Sequence, residues 1–380
     1  MLEVGLLHLA RDVLLIGASG GCFYLLLVAL LVATFKPRRR ENHRSHEPVT
    51  ILVPLCGAEP QLAERLRSLC RQDYPAEIQV VCGARSRLDP AVEVVRAVAS
   101  ECHPASIELR IDGRAYGGNP PLSTLINMLR FARPDTLVMI DSDIAIGRRF
   151  IAEMIDELGQ PGVGAVTSFY RCVAEGNAWA QLATIATNTY FLPDAILALR
   201  LRLVEPCFGA CIALPRETLQ RIGGLQRFAD CLWDDFAIGE AVRHAGMNVA
   251  LAPTAVDHIC STDSCGDLFE RELRAARIVR AITPYGQLGR VVAYPFTLAM
   301  IAALLGGGSP ALLIAAVGLV GRAVVSGLFA RRLGAPSPLY SWLPVAELMI
   351  FAAFVTSWGG SAVIWRAQIC ALVDQTRSVP

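Results

Sequence analysis

The chain has 380 residues, 53% of them hydrophobic and only 18% charged, with a formal net charge of +1. Such a balance excludes an intrinsically disordered chain and gives nucleic acid no electrostatic footing. It also exceeds what one soluble core needs, and the apolar excess gathers at the two ends.

Val13 to Phe35, VLLIGASGGCFYLLLVALLVATF, is uncharged and reaches the ~20 residues that a bilayer requires. KPRRR follows it and no basic stretch precedes it, so it reads as an anchor with a stop-transfer flank. The expected organisation is an anchor over residues 1–36 and a basic linker over 37–48, whose RRRENHRSHE suits an anionic membrane surface.

Residues 49–260 then alternate strand and helix signals. VTILVPL (49–55) is apolar on both faces, like a buried parallel strand, and Leu62, Leu66 and Leu69 share a helical face within 60–72. EIQVVC (77–82), a helix at 90–100, IELRID (107–112), a helix at 122–131 and DTLVMID (135–141) continue the pattern. This order predicts an α/β domain with a mostly parallel sheet, whose ligands bind at the carboxyl ends of strands.

The fourth strand ends there, in Asp141-Ser142-Asp143. Two carboxylates in close quarters repel unless a cation offsets them, and a hard divalent ion, Mg²⁺ or Mn²⁺, fits that need with phosphate oxygens completing its shell. A solvated turn is the bland alternative, since such a triplet is common. A second pair, Asp234-Asp235, precedes an amphipathic helix expected from Phe236. It reads either as a helix cap or, at Asp235, as a general base for a hydroxyl acceptor.

Arg271, Arg274, Arg277 and Arg280 recur every three residues in RELRAARIVR and are expected to share one helical face within an amphipathic segment, 261–290. They suit either anionic lipid or a departing diphosphate. Three apolar stretches follow, 291–305, 311–330 and 343–364, which assigns three transmembrane helices to 291–366 and a tail to 367–380. Arg322 interrupts the second stretch and is expected to snorkel to an interface. Basic clusters at 36–40 and 331–332 place the middle domain on the cytoplasmic side of a multi-pass inner-membrane protein. The twelve cysteines are then expected to be reduced, small and buried, because Cys207/Cys211 and Cys260/Cys265 have poor metal-site spacing.

Together, VPLCGAEPQL, QDYP, LDPAV, GGNPPLSTL, DTLVMIDSDI, CFGACIALPRETLQRIGGL, DDFAIGEAVRHAGMNV and RELRAARIVR resemble family-21 glycosyltransferases over Val49 to Pro295. That group comprises the ceramide glucosyltransferases and bacterial relatives, including the hopanoid-biosynthesis glycosyltransferases. The resemblance implies a GT-A fold, a UDP-sugar donor, a divalent metal and a membrane lipid acceptor of ceramide or hopanoid type. It assigns Asp141 and Asp143 to the metal and nucleotide-sugar, Asp235 to the catalytic base of an inverting transfer, and Arg271 and Arg274 to the polar positions of the (Q/R)xxRW motif. On the donor side it retains Asp89 and Asn119.

The departures are Ala275 for the motif's tryptophan, Ser86 for the acid that contacts uridine, Pro121 for a lysine and Val53 before Pro54. Two readings follow: a donor held by backbone groups and the extra arginines, or a non-catalytic relative that binds lipid or a partner. Retention of both acidic sites favours turnover. A processive synthase would need the tryptophan and a larger pore, and a transporter would carry several intramembrane ionisable groups.

Overall fold

A computed structural model describes residues 2–36, 47–57, 59–101, 106–360, 362–365 and 368–371. Most of the expected linker and tail lies outside them. The N-terminal apolar stretch forms α1 (Leu2–Ala33), which starts well before Val13.

The continuous apolar runs build the domain that follows. Its first half is β1 (Val49–Pro54), α2 (Leu62–Cys70), β2 (Ile78–Ala84), α3 (Ala91–Glu101), β3 (Ser106–Ile111), α4 (Pro120–Leu129), β4 (Thr136–Ile140) and β5 (Ile144–Ala145). Next come α5 (Phe150–Leu158), β6 (Val163–Thr167), β7 (Tyr170–Ala174), α6 (Ala178–Ile185), a π-helical turn at Ala186–Phe191, and α7 (Leu192–Arg200). The domain closes with β8 (Cys211–Pro215), α8 (Arg216–Arg221), α9 (Asp234–His244), β9 (Asn248–Leu251) and β10 (Val256–Cys260).

Seven strands form one sheet in the order β3-β2-β1-β4-β8-β6-β9, with β8 antiparallel to both neighbours and the other pairs parallel. β1 is buried along its whole length, as its two-sided apolar sequence requires. Ile51, Val53 and Val138 pack on one face against α2, α3 and α5, while Leu52, Leu137 and Met139 pack on the other against α4 and α9. Each such aliphatic side chain contributes roughly 1.5–3 kcal/mol by leaving water. A smaller sheet, β5-β10-β7, lies beyond the carboxyl end of β4; its β5–β10 pair is antiparallel and its β10–β7 pair parallel.

The remaining helices are α10 (Cys265–Ile282), α11 (Pro284–Gly289), α12 (Pro295–Ala302), α13 (Gly308–Leu333) and α14 (Leu343–Thr356), followed by the hairpin β11 (Ala362–Trp365) and β12 (Gln368–Ala371). Among the described residues three stretches are long and apolar enough to cross a membrane: Val4–Ala33, Ala178–Arg200 and Pro295–Leu333. The second is mostly enclosed by protein.

The three expected C-terminal spans come out unequal. α13, with 26 residues, reaches the ~30 Å of a bilayer core at ~1.5 Å per residue, whereas α12 and α14, with 8 and 14, fall short. Gly306 (φ +86°) and Gly308 (φ +58°) take the left-handed backbone that folds α12 back on α13. α1 seats against α12 through glycine: a Cβ on Gly21 would run into the Val292 carbonyl oxygen.

Arg322 does not snorkel. It is fully buried and donates to the carbonyls of Thr189 and Ala293, with its guanidinium 4.0 Å from the Tyr190 ring centroid. The short hairpin places it beside the π-helical turn and not at a lipid boundary.

Candidate active site

β4 delivers Asp141 and Asp143 just past its last paired residue, and the chain is gripped there. The Ala210 carbonyl accepts from Asp141 N at 3.3 Å, and the buried Arg65 donates through Nε to Ser142 O at 2.6 Å. Asp143 Oδ2 lies 3.1 Å from Nε2 of His258 on β10. From the other side, Asp234 and Asp235 open the first turn of α9.

Asp235 is fixed in plane by two backbone donors, Gly209 N to Oδ2 at 2.9 Å and Phe236 N to Oδ1 at 2.7 Å. Gly209 permits the approach, since a Cβ there would lie 3.1 Å from Asp235 Oδ2. Each carboxylate oxygen keeps a further lone pair for a hydroxyl.

Four carboxylates therefore lie within electrostatic reach of one another. Asp141 is exposed at its surface, but the protein around it and then the charges of Asp143 and Asp234 raise it above the usual carboxylate range. Burial and Asp235 push Asp234 up to about 7, and burial also raises Asp235. Asp143 in turn raises His258 against the opposing effect of its burial. Crowded acids of this kind gain from a divalent cation, and Asp143 and His258 are the two donors that meet directly. A cavity of about 420 Å³ opens beside them, lined by Gly57, Arg65, Asp143, His258, Arg271 and Arg274 among others.

The model of the family described as Glycosyl transferase family 21 matches residues 13–378. The chain belongs to that family. Curated relatives include ceramide glucosyltransferase 1 of Caenorhabditis elegans, 25% identical over 252 residues, covering 62% of this chain and 52% of that protein. The ceramide glucosyltransferase of Pyricularia oryzae is 22% identical over 284 residues, covering 60% and 57%. The chain thus spans about half the length of the curated relatives it matches. Among solved structures, a mannosyltransferase from Pyrobaculum calidifontis in complex with GDP-Man and Mn²⁺ superposes with a TM-score of 0.52 at 21% identity, covering 93% of this chain and 99% of that one. The fold is the mostly parallel GT-A arrangement of glycosyltransferases, with apolar helices at both ends.

In this family-21 chain the other expected site residues are placed as follows. Asp89 accepts from Gly57 N at 3.0 Å and Ala91 N at 2.9 Å, tying the β1 loop to the start of α3. Asn119 is buried: its Oδ1 caps α4 through Leu122 N at 3.1 Å, and its Nδ2 donates to Cys231 O at 2.8 Å. Its amide also hydrogen-bonds Asp234, so it steadies the acidic turn of α9.

The arginines do not share one face. Arg271 reaches Thr187 Oγ1 at 3.0 Å and Arg274 lines the cavity, while Arg280 donates to the Ser357 and Gly360 carbonyls past α14. Steps of three fall about 60° short of a turn, so nine residues swing the direction by about half a turn.

Sequence reasoning passed over His258, although VDHIC alternates as a strand and sets His258 and Cys260 on one face. It also passed over Cys172, whose thiol is 3.5 Å from His258 Nδ1. Burial opposes ionisation of Cys172, but the Cys260 thiol and His258 outweigh it and hold its pKa well below the ordinary value.

Proposed function

We propose that this protein is an inverting glycosyltransferase that moves a sugar from UDP to a hydroxyl of a membrane lipid, ceramide or hopanoid in type. The observation that carries the reading is that Asp141, Asp143, Asp234 and Asp235 lie within electrostatic reach of one another, with Asp143 and His258 opening on a cavity lined by Arg271 and Arg274. Asp235 is held by Gly209 and Phe236 and carries a raised pKa, which makes it a stronger base for a hydroxyl proton. Asp141, Asp143 and His258 are the residues that would hold Mg²⁺ or Mn²⁺. When bound, the ion offsets charge on the departing diphosphate. Arg274 faces the same cavity, where its forked donors suit phosphate oxygens.

A lipid acceptor is supported by what lies beyond the cleft. α10 runs from the cavity towards α11, whose Tyr285 and Leu288 are exposed just before α12 enters the apolar helices. Apolar side chains at that junction suit a membrane surface. The domain then faces the cytoplasm of an inner membrane, and the exposed thiols Cys56 and Cys265 should react with an impermeant maleimide only after the cells are opened. Labelling of either in intact cells would reverse the orientation.

A transfer assay tests the chemistry. Purified protein in lipid micelles is given a panel of UDP-sugars, Mn²⁺ or Mg²⁺, and ceramide or a hopanoid alcohol, and the product is read by mass and anomeric configuration. An inverted glycolipid lost in Asp235→Asn is expected. A folded protein that yields no product from any donor would instead be the non-catalytic relative that binds lipid or a partner.

A further inference from the structure

A set of softer donors lies behind Asp143 on the smaller sheet. In the parallel β7–β10 pair, His258 stands opposite Cys172, and Cys260 follows on the same face two residues on. One donor atom from each of the three residues lies within 4.8 Å of the others. Cys172 Sγ is 3.5 Å from His258 Nδ1. A tetrahedral ion with ~2.3 Å bonds to sulfur and ~2.0 Å bonds to nitrogen holds those two ligands about 3.5 Å apart.

The surroundings agree. His258 presents Nδ1 to the thiol and Nε2 to Asp143 Oδ2 at 3.1 Å. That carboxylate–imidazole pairing orients histidines that ligate zinc. Arg271 approaches Cys172 Sγ at 3.7 Å, a donor placed to steady a thiolate. With both sulfurs as thiolates, an ion of charge +2, Arg271 and Asp143 bring the group to neutrality. Both thiols are buried, while His258 and Cys260 line the cavity through which an ion would arrive.

We propose that Cys172, His258 and Cys260 form a binding site for a thiophilic divalent ion of the zinc class, separate from the oxygen-rich position at Asp141 and Asp143 and open towards the cavity at its fourth position. Binding releases to solvent whatever protons the two sulfurs and His258 Nδ1 still carry. Mg²⁺ does not compete, because thiolates select soft ions. His258 is shared: an ion on Nδ1 leaves the Nε2 proton directed at Asp143, so filling this site withdraws the imidazole from the hard ion. The proposal rests on these side chains alone and holds whether or not the chain transfers a sugar.

The test uses the full chain in detergent micelles, stripped with chelator and titrated with Co²⁺. One equivalent should produce a thiolate-to-cobalt charge-transfer band with tetrahedral d–d absorption, abolished by Zn²⁺ and untouched by excess Mg²⁺. Affinity should fall by at least about 100-fold in the Cys172→Ser/Cys260→Ser protein and stay unchanged in Cys207→Ser/Cys211→Ser. Absence of the band in the unaltered chain, or its survival in the first variant, overturns the proposal. Should that variant fail to fold, zinc-edge X-ray absorption on the unaltered chain decides. Two sulfur neighbours and one nitrogen support the site, and a shell of oxygen and nitrogen alone overturns it.

Discussion

The fold treats acids at the two ends of the cleft in opposite ways. On the β2–β3 side Asp89 stands apart from other acids and accepts from two backbone N–H donors, and Asp112 is held at about 2 by hydrogen bonds from Arg114, with Arg130 adding its charge. On the β4–α9 side the carboxylates face one another, and the surrounding protein and mutual repulsion raise Asp141, Asp234 and Asp235. An acid matched only by donors and arginines stiffens a loop. An acid crowded by other acids is poised for a cation or a proton. Donor-side and metal-side carboxylates should therefore respond differently to the same substitution.

The largest contrast is in rate. Asp235→Asn removes the base and leaves one oxygen for the two backbone donors, so kcat should fall by about 10³-fold with a drop of a few degrees in melting temperature. Asp89→Asn keeps its loop contacts and should lower kcat by no more than about threefold. If Asp89→Asn proved as damaging as Asp235→Asn, Asp89 would belong to the donor contacts and the division between the two ends would fail.

The two ends also differ in how legible they were. The strand runs and the DxD terminus followed from periodicity, because a buried strand that closes on two acids needs a cation or a ligand at its end. Asp89 and Asn119 entered through the family resemblance alone, as donor-side residues, and the structure adds that Asn119 caps α4 and Asp89 accepts from Ala91 N at the start of α3. What could not be read was long-range. Cys172 and His258 are 86 residues apart and meet only through β7–β10 register. Likewise, Arg322 is enclosed because α12 is short, which the uninterrupted hydropathy of 291–305 concealed.

Next in size is the response to pH and metal. Asp234 holds its proton more tightly in the folded chain, at about 7 against an ordinary 3.8. Its contribution to stability is therefore present at acid pH and is lost as pH rises through 7. The metal-free protein should lose of order 2 kcal/mol between pH 5 and pH 8, below the ~1.4 kcal/mol per pKa unit of an isolated group. Mn²⁺ should restore that loss at pH 8 and do little at pH 5. Thermal melts at the two pH values, with and without Mn²⁺, check it, and pH-independent melting indifferent to Mn²⁺ would contradict the crowding argument.

Gly209→Ala probes the position of the base. The added Cβ meets Asp235 Oδ2 at 3.1 Å, tighter than ordinary contact, so the carboxylate must give way by a few tenths of an ångström. Gly209 is not a positive-φ residue, so backbone strain does not confuse the result. A drop in kcat of about tenfold with KM for the donor unchanged is expected. A change in KM alone would assign this loop to substrate binding.

The smallest effect should fall on stability at the quiet end. Asp89→Ala removes the acceptor for Gly57 N and Ala91 N. Loss of a helix-start acceptor costs about 1 kcal/mol, and Gly57, at φ +81°, loses a tether on a backbone that only glycine adopts readily. Melting should shift down by a few degrees, and Asp89→Asn should recover most of it, because an amide oxygen can accept the same two bonds. Activity measured well below the melting temperature should follow the folded fraction and nothing more. A selective rise in donor KM for Asp89→Asn, with stability intact, would mean that the negative charge itself reads the donor, and the β2–β3 side would then share in recognition.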